Sequence, residues 1–300
     1  MKCSCIDIGS NTVKISVFER RGKHWNNIGF LGEQTGLISY VTVVEDKRVL
    51  SEEGKTALLD VLGRLVQYSL NMNAEHIFTF ATASLRGVSN ADEIKKSVYD
   101  NFGLTLEILS GDEEAICSLK GLLLDEKCEG IKSGIMIDMG GGSTEIVYFE
   151  NGKTPEIVSL DFGCLSLTDG YFGSFPPKID EIVSVREYVK SKISQCSFVR
   201  NLAVPVFLIG GTARAAVKMA NELLPRQKEI YKPSDFLTIS ENMSSNEDVR
   251  DLAMKLIPKR LHTITAGCAA YFEILNFIKP TEVHLSESGV REGYLERILL

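Results

Sequence analysis

Hydrophobic positions along the chain repeat with two different periods, which separates predicted strands from predicted helices. Alternating or short continuous apolar runs predict β-strands at 13–18, 76–81, 104–109, 204–209 and 282–285. Apolar positions at helical spacing predict α-helices at 51–72, 91–102, 110–124, 178–195, 213–224, 263–278 and 290–300. The polar segment 225–246, which contains two prolines, gives the weakest signal. Strands that alternate with helices are typical of an α/β protein.

The chain contains a long internal repeat. The stretch from Asp7 to Phe18 matches the stretch from Asp138 to Phe149 without a gap: Asp falls on Asp, Gly on Gly, and one apolar tail on the other. Such a distant repeat indicates a duplicated domain rather than a solenoid. We therefore predict two related domains with a cleft between them, the first comprising 1–117 and 285–300 and the second 118–284.

Composition narrows the class of protein. The 44% hydrophobic and 24% charged residues are ordinary for a globular protein, and the net charge of −7 argues against a nucleic-acid partner. The seven scattered cysteines do not suggest a disulfide framework. We predict no signal peptide and no membrane association, because the longest apolar run, 202–209, is too short to span a bilayer. The expected location is the cytoplasm.

Both copies of the repeat place a Gly/Ser/Thr turn between two strands. Glycine lets backbone N–H groups point at an anion, and hydroxyl and amide side chains add donors. An aspartate before each turn suits a hydrated Mg²⁺ better than direct contact with phosphate. For one copy alone, a hairpin turn with Asx-type hydrogen bonds is an adequate alternative. The candidate phosphate ligands are Gly9, Ser10, Asn11 and Thr12 in the first turn and Gly141, Gly142, Ser143 and Thr144 in the second.

Two glutamates are candidates for chemistry. Ser110 and Glu113 form a predicted capping box, which gives Glu113 a structural role. Glu114 follows it without a capping duty and is a candidate base for a water molecule, with an ordinary acidic first turn as the alternative. Glu145 lies in an otherwise apolar strand, where a carboxylate is costly unless it is paired or functional. Its counterpart in the repeat is Lys14, so a Lys14–Glu145 ion pair is the structural alternative.

Two further positions suit an anion. Gly211 and Thr212 precede a predicted helix, whose N-terminus can bind phosphate, although a tight strand–helix turn explains the same residues. Arg86 follows an Ala-Thr-Ala turn and suits bidentate phosphate contact, although it can equally be a surface arginine. The four histidines are scattered, which argues against a phosphohistidine or zinc mechanism.

As an ordered set, these motifs resemble the exopolyphosphatase/guanosine pentaphosphate phosphohydrolase family, which belongs to the actin, Hsp70 and sugar-kinase superfold. The resemblance implies duplicated actin-like, ribonuclease H-like domains. It covers the whole chain, although 225–250 matches weakly and the first turn reads Asn-Thr-Val-Lys where a bulkier pattern is usual. The matching stretches are 6–11, 81–86 with Asn90, 110–115, 137–145, 161–164, 210–213, 266–269 and 285–293.

The resemblance implies hydrolysis of a terminal phosphoanhydride in polyphosphate or in a phosphorylated guanosine nucleotide. Glu114 corresponds to the general base of the family, and Glu145 to the residue that assists with water and metal. Asp7 and Asp138 correspond to metal-binding positions for Mg²⁺ or Mn²⁺, while Lys14 and Arg86 match basic positions of the family. The sequence ends at Leu300 without the helical C-terminal domain of longer members, so we expect distributive action on short polyphosphates.

Two other classes of protein remain open from the sequence. A small-molecule kinase of the same superfold would also have paired turns, but it would need an adenosine pocket and an acceptor site. A non-catalytic sensor of polyphosphate or phosphorylated alarmones could lose the carboxylates, and the presence of Glu114 and Glu145 argues against it. A homodimer is left open.

Overall fold

The structure is a computed structural model that describes residues 1–22, 24–128, 130–224 and 230–299, with only the backbone described for His24 and Lys127. The contacts among these residues divide the chain into two compact units. Unit 1 comprises Met1–Leu124 and Val290–Leu300, and unit 2 comprises Asp125–Gly289. Residues 225–229 of the weakly predicted segment, and Leu300 of the predicted closing helix, lie outside the described residues.

The described strands form two five-stranded sheets and one two-stranded hairpin. They are β1 (Lys2–Ile8), β2 (Thr12–Arg21), β3 (His24–Gln34), β4 (Val41–Val44), β5 (Lys47–Leu50), β6 (His76–Ala81), β7 (Leu106–Ile108), β8 (Ser133–Met139), β9 (Thr144–Glu150), β10 (Glu156–Leu160), β11 (Val206–Ile209) and β12 (Val283–Leu285). Strands β4 and β5 form the hairpin and pair antiparallel.

The helices flank these sheets, and most begin close to the predicted positions. They are α1 (Glu52–Asn71), α2 (Ala91–Phe102), α3 (Gly111–Leu123), α4 (Cys164–Tyr171), α5 (Ile179–Ile193), α6 (Gly210–Leu223), α7 (Pro233–Ser245), α8 (Glu247–Leu256), α9 (Ile264–Ile278) and α10 (Val290–Leu299). Short 3₁₀ turns occur at Leu37–Tyr40, Glu126–Cys128, Ser197–Val199 and Pro258–Arg260.

The two five-stranded sheets have the same strand order and the same register around their first hairpin. The order is β3-β2-β1-β6-β7 in unit 1 and β10-β9-β8-β11-β12 in unit 2. Asp7 on β1 pairs with Lys14 on β2, and Asp138 on β8 pairs with Glu145 on β9. Residues that match in the repeat therefore occupy matching places, and the predicted duplicated α/β fold is confirmed.

Both faces of the unit 1 sheet are covered by helices. Helices α1 and α2 bury apolar side chains against one face, and α3 and α10 cover the other. The approach of α10 to α3 depends on Gly293, because a β-carbon there would lie 1.7 Å from the carbonyl oxygen of Cys117. This close packing supports α3, whose first turn carries Glu114.

Unit 2 has one large apolar core. Helix α9 lies at its centre, with most of its residues fully buried, among them Tyr271 and Ile274. The two strands predicted around the Gly/Ser/Thr turn of the second repeat copy are present as β8 and β9, and β10 follows them.

One sequence prediction needs correction, and one segment that gave only a weak signal contains a helix. Helix α6 begins at Gly210 rather than at residue 213, because strand β11 runs directly into it with Ile209 as the N-cap. The weakly predicted segment contains α7, which begins with Pro233 in its first turn and an Asp235 side chain that accepts from the Lys232 amide. Proline is well tolerated in a first turn, where the N–H group has no helical partner.

The cysteine prediction holds. Each of the seven cysteines lies within the described residues as a buried free thiol, and two of them, Cys3 and Cys5, lie in β1. Among the helices that the structure describes, none combines the length and the apolar character needed to cross a bilayer.

Candidate active site

The first turn connects β1 to β2 and fixes an acidic and a basic side chain side by side. The amide of Gly9 donates to the carbonyl of Thr12 at 3.2 Å, which closes the turn. Cross-strand partners project from the same face of a sheet, and Lys14 Nζ lies 3.8 Å from Asp7 Oδ2. The Asp7 carboxylate is thus paired within unit 1, and the Lys14 ammonium stands beside the turn.

The backbone carbonyls of this turn are occupied by the segment that follows β3. Asn11 O accepts from the amides of Thr35 at 2.9 Å and Gly36 at 3.1 Å, and Ser10 O accepts from Ile38 at 3.0 Å. Both Ser10 and Asn11 are buried. Asn11 Oδ1 also accepts from Gln34 at 3.4 Å. These hydrogen bonds to the segment after β3 hold the turn in one conformation.

Arg86 and Glu114 form a close ion pair in unit 1. Arg86 Nη2 donates to Glu114 Oε2 at 2.5 Å, and Arg86 Nε donates to the carbonyl of Leu109 at 3.1 Å. The Glu114 side chain is only 10% exposed, whereas the Arg86 side chain is 28% exposed. The structure therefore brings together two side chains that belong to separate sequence motifs, and it gives the buried carboxylate a positive neighbour.

The neighbouring Glu113 has the structural role predicted for it. Ser110 Oγ accepts from the Glu113 amide at 3.2 Å, and Glu113 Oε2 accepts from the Ser110 amide at 2.8 Å. Hydrogen bonds from the Ser110 amide and hydroxyl to the Glu113 carboxylate, together with the charge of Arg297, lower the pKa of Glu113 below its ordinary value. The capping box holds the first turn of α3, from which Glu114 projects.

The second turn, between β8 and β9, carries two carboxylates in place of an acid–base pair. Asp138 and Glu145 are cross-strand partners, so both project from the same face of the unit 2 sheet. Glu145 is 1% exposed, and its Oε1 accepts from the hydroxyl of Ser159 at 2.8 Å. The turn is closed by the Gly140 amide, which donates to Ser143 O at 2.9 Å.

The candidate phosphate ligands of the second turn, 141–144, differ in their hydrogen bonds and in their burial. The carbonyl of Gly141 accepts from the amides of Leu165 and Ser166, both at 3.0 Å. The hydroxyl of the buried Thr144 donates to the carbonyl of Phe162 at 2.7 Å and so ties β9 to the chain after β10. Gly142 is half-buried and Ser143 is buried.

Helix α6 begins directly beside Asp138. Gly210 has a φ of +89°, and a β-carbon there would lie 2.6 Å from Asp138 Oδ1. The first turn of α6 contains Gly211 and the buried Thr212 and has no acidic residue. A helix N-terminus without an acidic residue in its first turn is suited to an anion.

Arg260 lies on this helix N-terminus and was not predicted. A β-carbon at Gly211 would be 2.6 Å from Arg260 Nη2, and Arg260 Nη1 lies 3.8 Å from the sulfur of Cys164. The Thr212 hydroxyl donates to the same sulfur at 3.3 Å. The Arg260 guanidinium therefore adds positive charge at the N-terminus of α6, where the first backbone amides have no partner within the helix. The sequence signal was weak, since Arg260 follows Pro258 and Lys259 in an otherwise unmarked segment.

The carboxylates present are chemically suited to a hard divalent cation. Asp138 and Glu145 offer oxygen ligands from one sheet face, and the missing side chain at Gly210 leaves room at Asp138 Oδ1. Within the described ranges, no three His, Cys, Asp or Glu side chains are gathered into one group. Mg²⁺ fits such a sparse set, because it keeps most of its water ligands and uses few from the protein.

Comparison with known proteins places the chain among phosphatases. The Ppx/GppA phosphatase family matches residues 17–300. The chain is 24% identical to the bifunctional 3-dehydroquinate synthase/phosphatase of Fusobacterium nucleatum, covering 94% of this chain and 44% of that protein. It is 23% identical to the guanosine-5'-triphosphate,3'-diphosphate pyrophosphatase of Pseudoalteromonas translucida, covering 98% and 58% respectively. The chain thus spans about half the length of these curated relatives.

Solved structures share the fold. The crystal structure of the Ppx/GppA family member of Aquifex aeolicus superposes with a TM-score of 0.80 at 23% identity, over 100% of this chain and 98% of that one. An exopolyphosphatase from Cytophaga hutchinsonii superposes with a TM-score of 0.83 at 17% identity, over the same shares. The resemblance inferred from the ordered motifs is confirmed: the chain belongs to the Ppx/GppA phosphatase family.

Proposed function

We propose that the protein hydrolyses the terminal phosphoanhydride bond of inorganic polyphosphate or of guanosine pentaphosphate. The observation that carries the proposal is the buried Glu114, ion-paired with Arg86 at 2.5 Å in a chain of a phosphatase family. A guanosine pentaphosphate substrate is further supported by the name of the Pseudoalteromonas relative.

In this proposal Glu114 accepts a proton from the attacking water. Phosphoryl transfer needs little covalent chemistry from the protein, but it needs an oriented water and neutralised phosphate charge. A glutamate on a capped helix turn, held by a guanidinium at one oxygen, has few alternative positions. General-base catalysis of this kind typically contributes about 10²- to 10⁴-fold in rate.

Each unit, taken by itself, offers candidate phosphate ligands. Unit 1 supplies the amides and side chains of residues 9–12 together with Lys14, and Arg86 can contact phosphate while it holds Glu114. Unit 2 supplies the turn residues Gly141–Thr144 and the first turn of α6 with Gly211 and Thr212. Arg260 joins this set, because its guanidinium lies against Gly211.

The carboxylates proposed as ligands for Mg²⁺ or Mn²⁺ are Asp7 in unit 1 and, in unit 2, Asp138 with Glu145, since carboxylate oxygens without Cys or His ligands suit hard cations. The ion neutralises charge on the phosphate oxygens when bound. Asp138 and Glu145 share a sheet face in unit 2, and the buried Glu145 is fixed by Ser159.

Phosphate release on a panel of substrates tests the proposal. Purified protein with Mg²⁺ would be given tripolyphosphate, long-chain polyphosphate, guanosine pentaphosphate and, as a control ester, p-nitrophenyl phosphate. We expect orthophosphate from at least one of the anhydrides and little from the ester. Release from none of the three anhydrides, by protein with a cooperative thermal transition and bound metal, would contradict the proposal.

A further inference from the structure

The segment that follows Arg86 is bonded along strand β5 of the β4–β5 hairpin. Arg48 Nη1 donates to the carbonyl of Arg86 at 2.8 Å. The Ser89 amide donates to the carbonyl of Arg48 at 2.7 Å, and the Ser89 hydroxyl donates to the same carbonyl at 3.0 Å. Arg48 and Val88 also form an isolated parallel β-bridge. The backbone that carries Arg86 is thus held from the side by one residue of the hairpin.

Asn90 adds a second attachment point. It is the N-cap residue of α2, yet its side chain makes no capping hydrogen bond. Asn90 Oδ1 accepts from the Leu50 amide at 3.1 Å, and Asn90 Nδ2 donates to the Leu50 carbonyl at 2.9 Å. An asparagine at an N-cap ordinarily stabilises its helix, because its side chain accepts a hydrogen bond from an amide of the first turn. Here both polar groups are directed to the buried end of β5 instead.

These contacts lead directly to the proposed catalytic carboxylate. Two bonds from the Arg86 side chain reach Leu109 and Glu114, on either side of the Ser110 cap. A guanidinium can hold Glu114 in one place only if its own backbone is fixed. The loop from residue 82 to residue 90 has no regular secondary structure of its own to do so.

We propose that Arg48 and Asn90 are positioning residues that set the place of the Arg86 guanidinium, and through it the orientation of Glu114. The inference rests on the proposed function for its catalytic consequence. Displacements of about 1 Å at groups remote from the chemistry can cost up to 10²-fold in rate. We therefore expect losses of about tenfold in kcat from either position, with KM changing less than twofold.

A double-mutant cycle separates positioning from a general structural effect. Arg48→Ala is compared with Lys47→Ala as its control. Lys47 is an exposed residue of the same strand, and its replacement removes the same positive charge. Arg48→Ala should lower kcat about tenfold in the native background and cause no further loss in an Arg86→Ala background. Lys47→Ala should change kcat less than twofold. Equal losses from Arg48→Ala in both backgrounds, or none in the native one, would overturn the proposal.

Asn90→Asp provides a second, independent variant. The native Asn90 side chain makes no capping hydrogen bond, so α2 should form normally with aspartate at this position, but a carboxylate cannot donate to the Leu50 carbonyl. The expected result is a tenfold loss of kcat at an unchanged Tm. If Asn90→Asp lowers Tm and kcat together, and Asn90→Ala lowers both further, Asn90 has a structural role only. That result would refute its assignment as a positioning residue.

A measurement that does not depend on enzyme activity distinguishes failure of the positioning role from failure of the proposed hydrolytic function. The Nε–H proton of Arg86, which donates to Leu109, can be followed by NMR for its exchange with water. We expect faster exchange in Arg48→Ala and Asn90→Asp, and no change in Lys47→Ala. Unchanged exchange in the first two variants would refute the positioning role, even if Arg86→Ala leaves too little activity for the cycle. Faster exchange in a protein that releases no phosphate would retain positioning and reject the proposed function.

Discussion

The Glu114 carboxylate lies 2.5 Å from the Arg86 guanidinium, although the two residues belong to different segments of unit 1. Glu114 comes from the first turn of α3, and Arg86 from the loop after β6. Because Arg86, a proposed phosphate ligand, also holds the proposed base, loss of either group should affect the other. Effects on activity at these two positions should therefore be far from additive.

Replacement of the proposed base should stop turnover without preventing binding. We expect Glu114→Gln to lower kcat by about 10²- to 10⁴-fold while substrate affinity stays within a few-fold, because the amide keeps the shape but cannot take up a proton. Steady-state phosphate release and equilibrium binding of a labelled substrate measure the two quantities. Glu113→Gln is the matched control, since glutamine also completes a capping box. If Glu114→Gln keeps more than half of the native rate, Glu114 is not the base.

A divalent cation should be required, and Asp138 should set its affinity. Excess EDTA is expected to abolish phosphate release, and Mg²⁺ or Mn²⁺ to restore it. Asp138→Asn should raise the Mg²⁺ concentration for half-maximal rate by about ten- to hundredfold. Asp161→Asn, at an exposed position of the same unit, is the control and should have little effect. Full activity in EDTA, with metal content verified as negligible, would remove the metal from this account.

Stability should depend on pH through Glu113. Its pKa in the folded state is lowered below the ordinary 4.5, so its contribution is fully present above pH 4.5 and is lost as pH falls through the folded-state pKa. Glu113→Gln should therefore lower the Tm at pH 7 by roughly 1–3 °C, and the difference should shrink as the pH falls below 4.5. Thermal denaturation of both proteins from pH 3 to 7 measures it. If the Tm difference between the native protein and Glu113→Gln grows as the pH falls, the predicted contribution of the Glu113 carboxylate to stability is wrong.

The contact of α10 with α3 predicts an unusual response to alanine. In a helix interior, Gly→Ala is normally stabilising by up to about 1 kcal/mol. At Gly293, however, the new methyl group would lie 1.7 Å from Cys117 O, and overpacking should destabilise by roughly 1–3 kcal/mol or more. Gly63→Ala on α1 is the control, because its β-carbon would lie 3.7 Å from Phe102. A Tm for Gly293→Ala at or above the native value would contradict this packing.

The repeated features of the fold could be predicted from the sequence, because a repeat preserves register. Asp7 and Asp138 occupy the same sheet position, and the cap of α3 was visible in the spacing of Ser110 and Glu113. The start of α6 was misplaced because glycines usually indicate a turn, whereas Gly210 and Gly211 here lie in the helix itself.

Features that depend on tertiary contact were not visible in the sequence. Arg260 reaches Gly211 only because the short turn before α9 packs on the start of α6. The β4–β5 hairpin was missed because its four-residue strands are too short for a clear alternation. The pairing of Arg86 with Glu114 likewise required the fold, since nothing in the spacing of the two residues implies contact.

The origin of the oxygen in the released phosphate tests the central claim most directly. The protein would be incubated with Mg²⁺ and tripolyphosphate, long-chain polyphosphate or guanosine pentaphosphate in ¹⁸O-labelled water, and the orthophosphate analysed by mass spectrometry. Hydrolysis by a Glu114-activated water predicts one solvent oxygen in each orthophosphate released, at a rate that Glu114→Gln reduces at least 100-fold. No release from any of these substrates, release without solvent oxygen, or labelled release that Glu114→Gln leaves unchanged would contradict the account.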